Sequence, residues 1–260
     1  MEPGPAAWIG ALRHSHDTLR ALAGPLDADQ VQQRSYASEW TIAQVLSHLG
    51  SQAEIFGLFL DAGLTGGDPP GPEAFHPIWD QWNARSPQAQ AADALQADQA
   101  VVERFESLDA GQLESLRLAM FGMDLDAARL AGMRLAEHAV HTWDIAVALD
   151  PAATVAPDAV ALLVDTLGQL AARSGKADGT ERRLRIVTSD PDRTLILETG
   201  ETVTLRPAEG AEGTGSLPEV RMPAEALVRL VYGRLDPAHT PPVKTTDADL
   251  DELRKMFPGF

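Results

Sequence analysis

Glu137 and His141, in the run Arg134-Leu-Ala-Glu-His-Ala-Val-His-Thr-Trp-Asp144, are residues of the types that hold metal ions. On a helix they leave the same face one turn apart, so a carboxylate oxygen and an imidazole nitrogen can converge on one cation. Arg134 and Asp144 extend that face, and all four side chains fall within about 80° of arc at 3.6 residues per turn. A catalytic ion of the zinc type takes three protein ligands and leaves one coordination position open. His48, framed by apolar residues in the helical run Trp40-Thr-Ile-Ala-Gln-Val-Leu-Ser-His48-Leu, is the candidate for the third ligand. Asp144 would orient His141 through the ring nitrogen that faces away from the ion.

Against this stands a plainer reading. An E-x-x-x-H pair occurs by chance in many helices, and a lone histidine on an apolar helix is more often a hydrogen-bonded core residue. His138, about 60° around the wheel from His141, is a rival ligand. His14 and His16 point to different sides of their helix, which reads as exposed or satisfied core histidines rather than a site.

Composition narrows the chemistry. The 260 residues contain no cysteine, which excludes disulfides, thiolate ligands and a protein thiol as nucleophile, so any thiol chemistry here uses a thiol from outside. The net charge of −17 makes nucleic acid a poor partner. The charge is uneven: residues 1–175 carry 9 Arg, no Lys and 23 acidic residues, and residues 176–260 carry 12 basic and 15 acidic ones. Such acidity reads first as a solvated surface. No apolar run approaches the ~20 residues that span a bilayer. The start, Met-Glu-Pro-Gly-Pro, lacks the pattern of a secretory signal, so the cytoplasm is the expected compartment. An apolar fraction of 44% is ample for real cores, and the length fits one large domain or two smaller ones, as a monomer or a homodimer.

The elements that must position these residues are helical in the first part of the chain. Ala6 to Leu22 places Trp8, Leu12, Leu19 and Leu22 at helical intervals and stops at Gly24-Pro25. Leu26 to Ser38 reads as a short helix plus loop. Thr41-Ile-Ala-Gln44 is a capping box that opens a second long helix to about Leu64, with apolar residues on two flanks. Thr65 to Pro72 is a loop by its Gly and Pro content. A shorter helix follows with His76, Trp79, Trp82 and Arg85, the two tryptophans expected to fill core space. Ser86-Pro87 then caps a helix to about Leu108, and the Glu137 helix runs from near Asp124 to Leu149. Four long helices predict a bundle, in which metal sites form from inward-facing side chains on different helices.

A further amphipathic helix is expected from Asp158 to Arg173, closing a first domain of residues 1–175. Beyond the linker at Gly175 the period changes. Short strands are expected at Leu184–Thr188, Thr194–Leu197, Thr202–Leu205 and Val220–Met222, with helices from Pro223 to Arg234 and after Thr246. Residues 176–260 thus read as a small α+β domain.

The segment Trp40 to His48, the run Arg134-x-x-Glu137-x-x-x-His141-x-x-Asp144, and Gly233-Arg234 followed by Phe257-Pro-Gly resemble the mycothiol-dependent maleylpyruvate isomerase family across almost the whole chain. The resemblance implies an N-terminal DinB-like four-helix bundle and a smaller α+β domain similar to sterol carrier proteins. It implies His48, Glu137 and His141 as the ligands of a divalent metal, zinc first among the candidates, with mycothiol as the thiol. It also implies Arg234, and less directly Arg85, as catalytic arginines that grip a carboxylate. The family chemistry is thiolate attack on a small electrophilic substrate. If the thiol leaves again the protein is an isomerase, and if it stays attached the protein is an S-transferase. The segments 65–72 and 206–218, rich in Gly, Pro and Glu, are where substrate choice is expected to vary. Other classes stay open: a metal hydrolase using bound water, a non-catalytic module for an apolar ligand, or a core polar network at Glu137 and His141.

Overall fold

The computed structural model describes residues 3–37, 39–120, 122–213 and 216–259. Ser38 and two residues of the 206–218 segment, Thr214 and Gly215, therefore lie outside the described residues. The chain divides into two units, residues 1–154 and 155–260.

In the first unit the long helices are α1 (Pro5–Ala23), α2 (Ile42–Thr65), α4 (Pro87–Glu106) and α6 (Ala127–Leu149), with the shorter α3 (Pro72–Asn83) and α5 (Ala110–Ser115) between them. Their starts are written in local chemistry. Thr41 Oγ1 accepts from the Gln44 amide while the Gln44 side chain accepts from the Thr41 amide, completing the capping box of α2. Ser86 caps α4 and Asp126 caps α6 through their side-chain oxygens. Helix α1 packs on α6 and α4, and α2 packs on α4 and α6, so the four close into a ring. Leu12, Leu19, Ile42, Leu46, Leu49, Leu60, Phe105 and Leu135 are wholly buried between them.

Two local expectations change. The last long helix begins at Ala127 rather than near Asp124, because Met123–Leu125 (β2) pairs antiparallel with Leu118–Met120 (β1) in a small hairpin. Of the tryptophan pair only Trp82 is core, at 1% exposure; Trp79 is half-buried and stacks edge-on with His76. Trp82 presses against Gly50 of α2, where a Cβ would lie 2.2 Å from the indole. That approach gives a reason for a glycine in mid-helix, where it costs about 0.5–1 kcal/mol relative to alanine.

The second unit begins earlier than the boundary after residue 175. The expected helix from Asp158 to Arg173 is two helices, α7 (Pro157–Leu163) and α8 (Leu167–Ser174), separated by a 3-10 turn. These helices pack on elements of the second unit: α7 lies against α9 (Ala224–Val231), and α8 against β5 (Val203–Pro207). The sheet runs β5-β4-β3-β6-β7, with β3 (Arg182–Ser189) parallel to β6 (Glu219–Pro223) and the other pairings antiparallel; β4 is Arg193–Thr199 and β7 Lys244–Thr246. Leu184, Ile186 and Thr188 alternate inward on β3, while Arg183 and Arg185 lie on its other face. On that face Arg183 pairs with Glu198, and Arg185 with Glu219. Glu212, from the 206–218 segment, accepts from both Arg183 and Arg206. The chain closes with α10 (Leu250–Met256).

Candidate metal centre

Helices α2 and α6 bring His48, Glu137 and His141 together, and one ligand atom from each lies within 4.8 Å of the others. His48 Nε2 stands 3.3 Å from Glu137 Oε2, and His141 Nε2 stands 3.8 Å from the same oxygen. Ligands bonded tetrahedrally at ~2.0–2.2 Å are separated by roughly 3.3–3.6 Å, so the His48–Glu137 spacing matches a cation of zinc size and the His141–Glu137 spacing needs a small inward adjustment. The site sits at the edge of the bundle: the side chains of His48, His141 and Glu137 keep 22%, 13% and 41% of their surface exposed.

The tautomer of His141 is set from behind. Its Nδ1 donates to Asp144 Oδ2 at 2.8 Å, with the Asp144 carboxylate fully buried, which leaves the Nε2 lone pair facing Glu137. The protonation states also suit a cation. Burial opposes ionisation of Glu137, but the His48 hydrogen bond and the fields of His141, His48 and Arg134 outweigh it and hold the carboxyl down at about 2. Burial pushes His48 below its usual value against the pull of Glu137. A carboxylate and a neutral imidazole are the forms that bind metal. Trp40 stands over the site, its ring 5.3 Å from His48 and 6.3 Å from His141, and is one of the large apolar side chains left exposed, at 36%.

Arg134 and His138 turn away. Despite sharing the arc of Glu137 and His141, Arg134 is wholly buried and donates through Nη2 to Asp98 Oδ1 of α4 at 2.7 Å and to the Leu49 carbonyl of α2 at 3.1 Å. His138 Nε2 lies 2.8 Å from Asp98 Oδ2, off the line of a well-directed hydrogen bond, and its Nδ1 lies 2.7 Å from Ser15 Oγ of α1. His16 Nδ1 donates to Asp98 Oδ2 at 2.6 Å while its Nε2 is buried without a hydrogen-bond partner among the described residues, so His16 is a core histidine held on one side, and His14 is exposed. Burial drives Asp98 up, yet the charges of His138 and Arg134, the close approach of His138 and the hydrogen bond from His16 hold it well below the carboxylate range. Sequence reasoning passed over Asp98, although it is a charged residue within the stripe Ala91, Ala94, Val101 and Phe105 of α4.

Arg85 and Arg234 are placed by local contacts. Arg85 stacks 3.6 Å over the Trp82 ring and lies 3.4 Å from Asp93. The ring it covers packs on Gly50, two residues and therefore about 200° around α2 from His48, which puts Arg85 on the far side of that helix from the three ligands. Arg234 follows Gly233, whose φ of 71° is the left-handed turn that ends α9, and its Nη1 donates to the Tyr232 carbonyl at 2.7 Å. A Cβ on Gly233 would meet the Gly259 backbone at 2.3 Å, so the two C-terminal motif pieces, Gly233-Arg234 and Phe257-Pro-Gly, touch.

Residues 12–146, over half of the chain, match the family model described as the mycothiol maleylpyruvate isomerase N-terminal domain. Two solved structures, of a mycothiol-dependent maleylpyruvate isomerase and of a histidine-to-alanine variant of it, superpose with a TM-score of 0.69 over 95% of this chain and 95% of theirs. The sequence identity is 15%, so this likeness is one of fold. No curated protein sequence matches the chain.

Proposed function

Because this chain belongs to the mycothiol maleylpyruvate isomerase N-terminal domain family, we propose that it is a metal-dependent isomerase that uses mycothiol and acts on a small unsaturated carboxylate. The observation that supports this most is the convergence of His48, Glu137 and His141 within 4.8 Å in a chain that has no cysteine of its own. Two imidazoles and one carboxylate are a donor set suited to zinc. A divalent cation held by His48, Glu137 and His141 would supply Lewis acidity that lowers the pKa of a thiol brought beside it.

The chain's own residues then divide the work. His48 and His141 contribute neutral nitrogens, Glu137 contributes negative charge, and Asp144 holds the His141 ring in the tautomer required. Trp40 forms an apolar wall beside the ligands and limits the water that reaches them. For the substrate, the sulfur of the thiol adds to the activated double bond while the electron pair moves onto the conjugated carbonyl. Rotation about the resulting single bond follows, and expulsion of the sulfur restores the double bond with no atom gained or lost. Arg234 is assigned the carboxylate-binding role, since a guanidinium forks onto a carboxylate with two parallel hydrogen bonds. Arg85, engaged by Trp82 and Asp93, is assigned to packing instead.

The test loads the full chain with zinc and supplies mycothiol with maleylpyruvate, the substrate named for the structural relative. The expected result is isomer formation with free thiol unchanged at the end. Thiol consumed in step with substrate would make the protein an S-transferase. Ester or amide hydrolysis proceeding without thiol, with neither of the other signals, would overturn the thiol reading altogether. In the same assay Arg234→Leu is expected to lower turnover by about 100-fold or more while leaving the circular dichroism spectrum unchanged.

A further inference from the structure

The ligands on α6 are set by that helix alone, since Glu137 and His141 are one turn apart on a single rod. The distance that remains to be fixed is between α6 and α2, which carries His48. Direct packing does little to fix it: α2 and α6 touch over a much shorter stretch than α2 and α4 or α1 and α6. Across this junction runs the side chain of Arg134. The Arg134 guanidinium leaves α6 three residues before Glu137, reaches the carbonyl that follows His48 at 3.1 Å, and is gripped at 2.7 Å by Asp98 of α4.

Stability alone does not call for a charge in this place. Both Arg134 and Asp98 have no exposed side-chain surface, and burying two ions carries a desolvation penalty that their attraction offsets only when the remaining polar atoms are satisfied. Here they are not. Arg134 Nε and Nη1 are buried without a hydrogen-bond partner among the described residues, and the guanidinium otherwise meets the Phe56 ring at 5.8 Å. Apolar side chains of similar volume often serve a core as well as such a pair or better. What they cannot do is hold a backbone carbonyl of α2 and a carboxylate of α4 at once from a point on α6.

We propose that Arg134 is a positioning residue for the metal centre: it ties the α2 backbone beside His48 to the helix that carries Glu137 and His141, and Asp98 anchors the tie. This rests on the metal reading of the three ligands. His16, His138 and Ser15 complete the anchor, tying Asp98 and α6 to α1.

The test compares the wild-type chain with Arg134→Met/Asp98→Asn, which removes both charges together, and with Arg134→Lys, which keeps the charge but loses the length and planar shape of the guanidinium. Three quantities are read on each protein: melting temperature, Zn2+ affinity by competition with a chromophoric chelator, and the visible spectrum of the Co2+-loaded form. The double variant is expected to melt near wild type, to bind Zn2+ at least about 10-fold more weakly, and to show a Co2+ spectrum altered in position or intensity. Arg134→Lys is expected to bind Zn2+ more weakly than wild type without unfolding. Wild-type affinity and an unchanged Co2+ spectrum in folded variants would overturn the proposal. Failure of both variants to fold would assign Arg134 to the core and overturn it likewise. If the wild-type chain itself does not bind Zn2+ at micromolar concentration, the metal reading fails and takes this inference with it.

Discussion

At His141 the ring is held by the buried Asp144 carboxylate on one side and faces Glu137 and His48 on the other. An imidazole so held offers its Nε2 lone pair without a rotamer search, which is what a second hydrogen bond contributes to metal affinity. Asp144→Asn keeps the shape and removes the charge. It is expected to weaken Zn2+ binding by about 10–100-fold with the helix intact, measured by calorimetric titration beside a far-ultraviolet spectrum. An unchanged affinity would mean that Asp144 serves only its own helix.

The helices meet through two contacts that a single substitution can probe. In the first, Gly50 of α2 receives the face of Trp82. Gly50→Ala would gain helix propensity of about 1 kcal/mol but must displace an indole carbon 2.2 Å from the new methyl. Overpacking of this kind costs about 1–3 kcal/mol and outweighs the gain, so a lower urea midpoint is expected. In the second, Asp98 ties α4 to α1 and α6 as a carboxylate whose pKa is held well below its ordinary value. A depressed acid stabilises the folded state above its unfolded pKa, near 3.9, and loses that contribution as pH falls through the folded value. The difference in stability between wild type and Asp98→Asn is therefore expected to be constant above about pH 5 and to shrink toward pH 2.5. Urea midpoints taken across that range give the answer, and a difference that does not change with pH would show that Asp98 is not ionised in the fold.

For the whole molecule the consequence of a real metal site is linkage. An ion that binds the folded bundle and not the unfolded chain stabilises it by about 2.7 kcal/mol at a concentration 100 times its dissociation constant. Melting of the unit of residues 1–154 is thus expected to shift upward with Zn2+ and to return with EDTA, and Glu137→Gln should abolish the shift. A shift that survives Glu137→Gln would place the ion elsewhere. At this scale the family match over residues 12–146 and the shared fold at 15% identity agree: the bundle followed by the α+β unit persists where most side chains differ.

The sequence by itself determined what depends on neighbours along the chain. Helix positions followed from a 3.6-residue apolar period and from caps such as Thr41 with Gln44, and the positions of β3 to β6 from short β-branched runs between turns, whereas β7, three residues long, was not expected. The Glu137 and His141 spacing was legible for the same reason, because both residues ride one helix. The hairpin at Leu118–Leu125 was not, since three-residue strands are too short to show a period. Asp109-Ala-Gly-Gln112 did carry the capping signature that opens α5. Only the tertiary structure decided which histidine faces α2. His138 and His141 differ by about 60° on the wheel, and it is the placement of α2 and α4 that sets Asp98 against one and His48 against the other. The same holds for Arg134, whose long side chain leaves the ligand face for the core, and for the boundary at Thr154, where α7 and α8 pack with the second unit. Periodicity reports the direction of a side chain about its own axis. What stands in that direction is set by segments far away in the chain, and their arrival is a matter of packing.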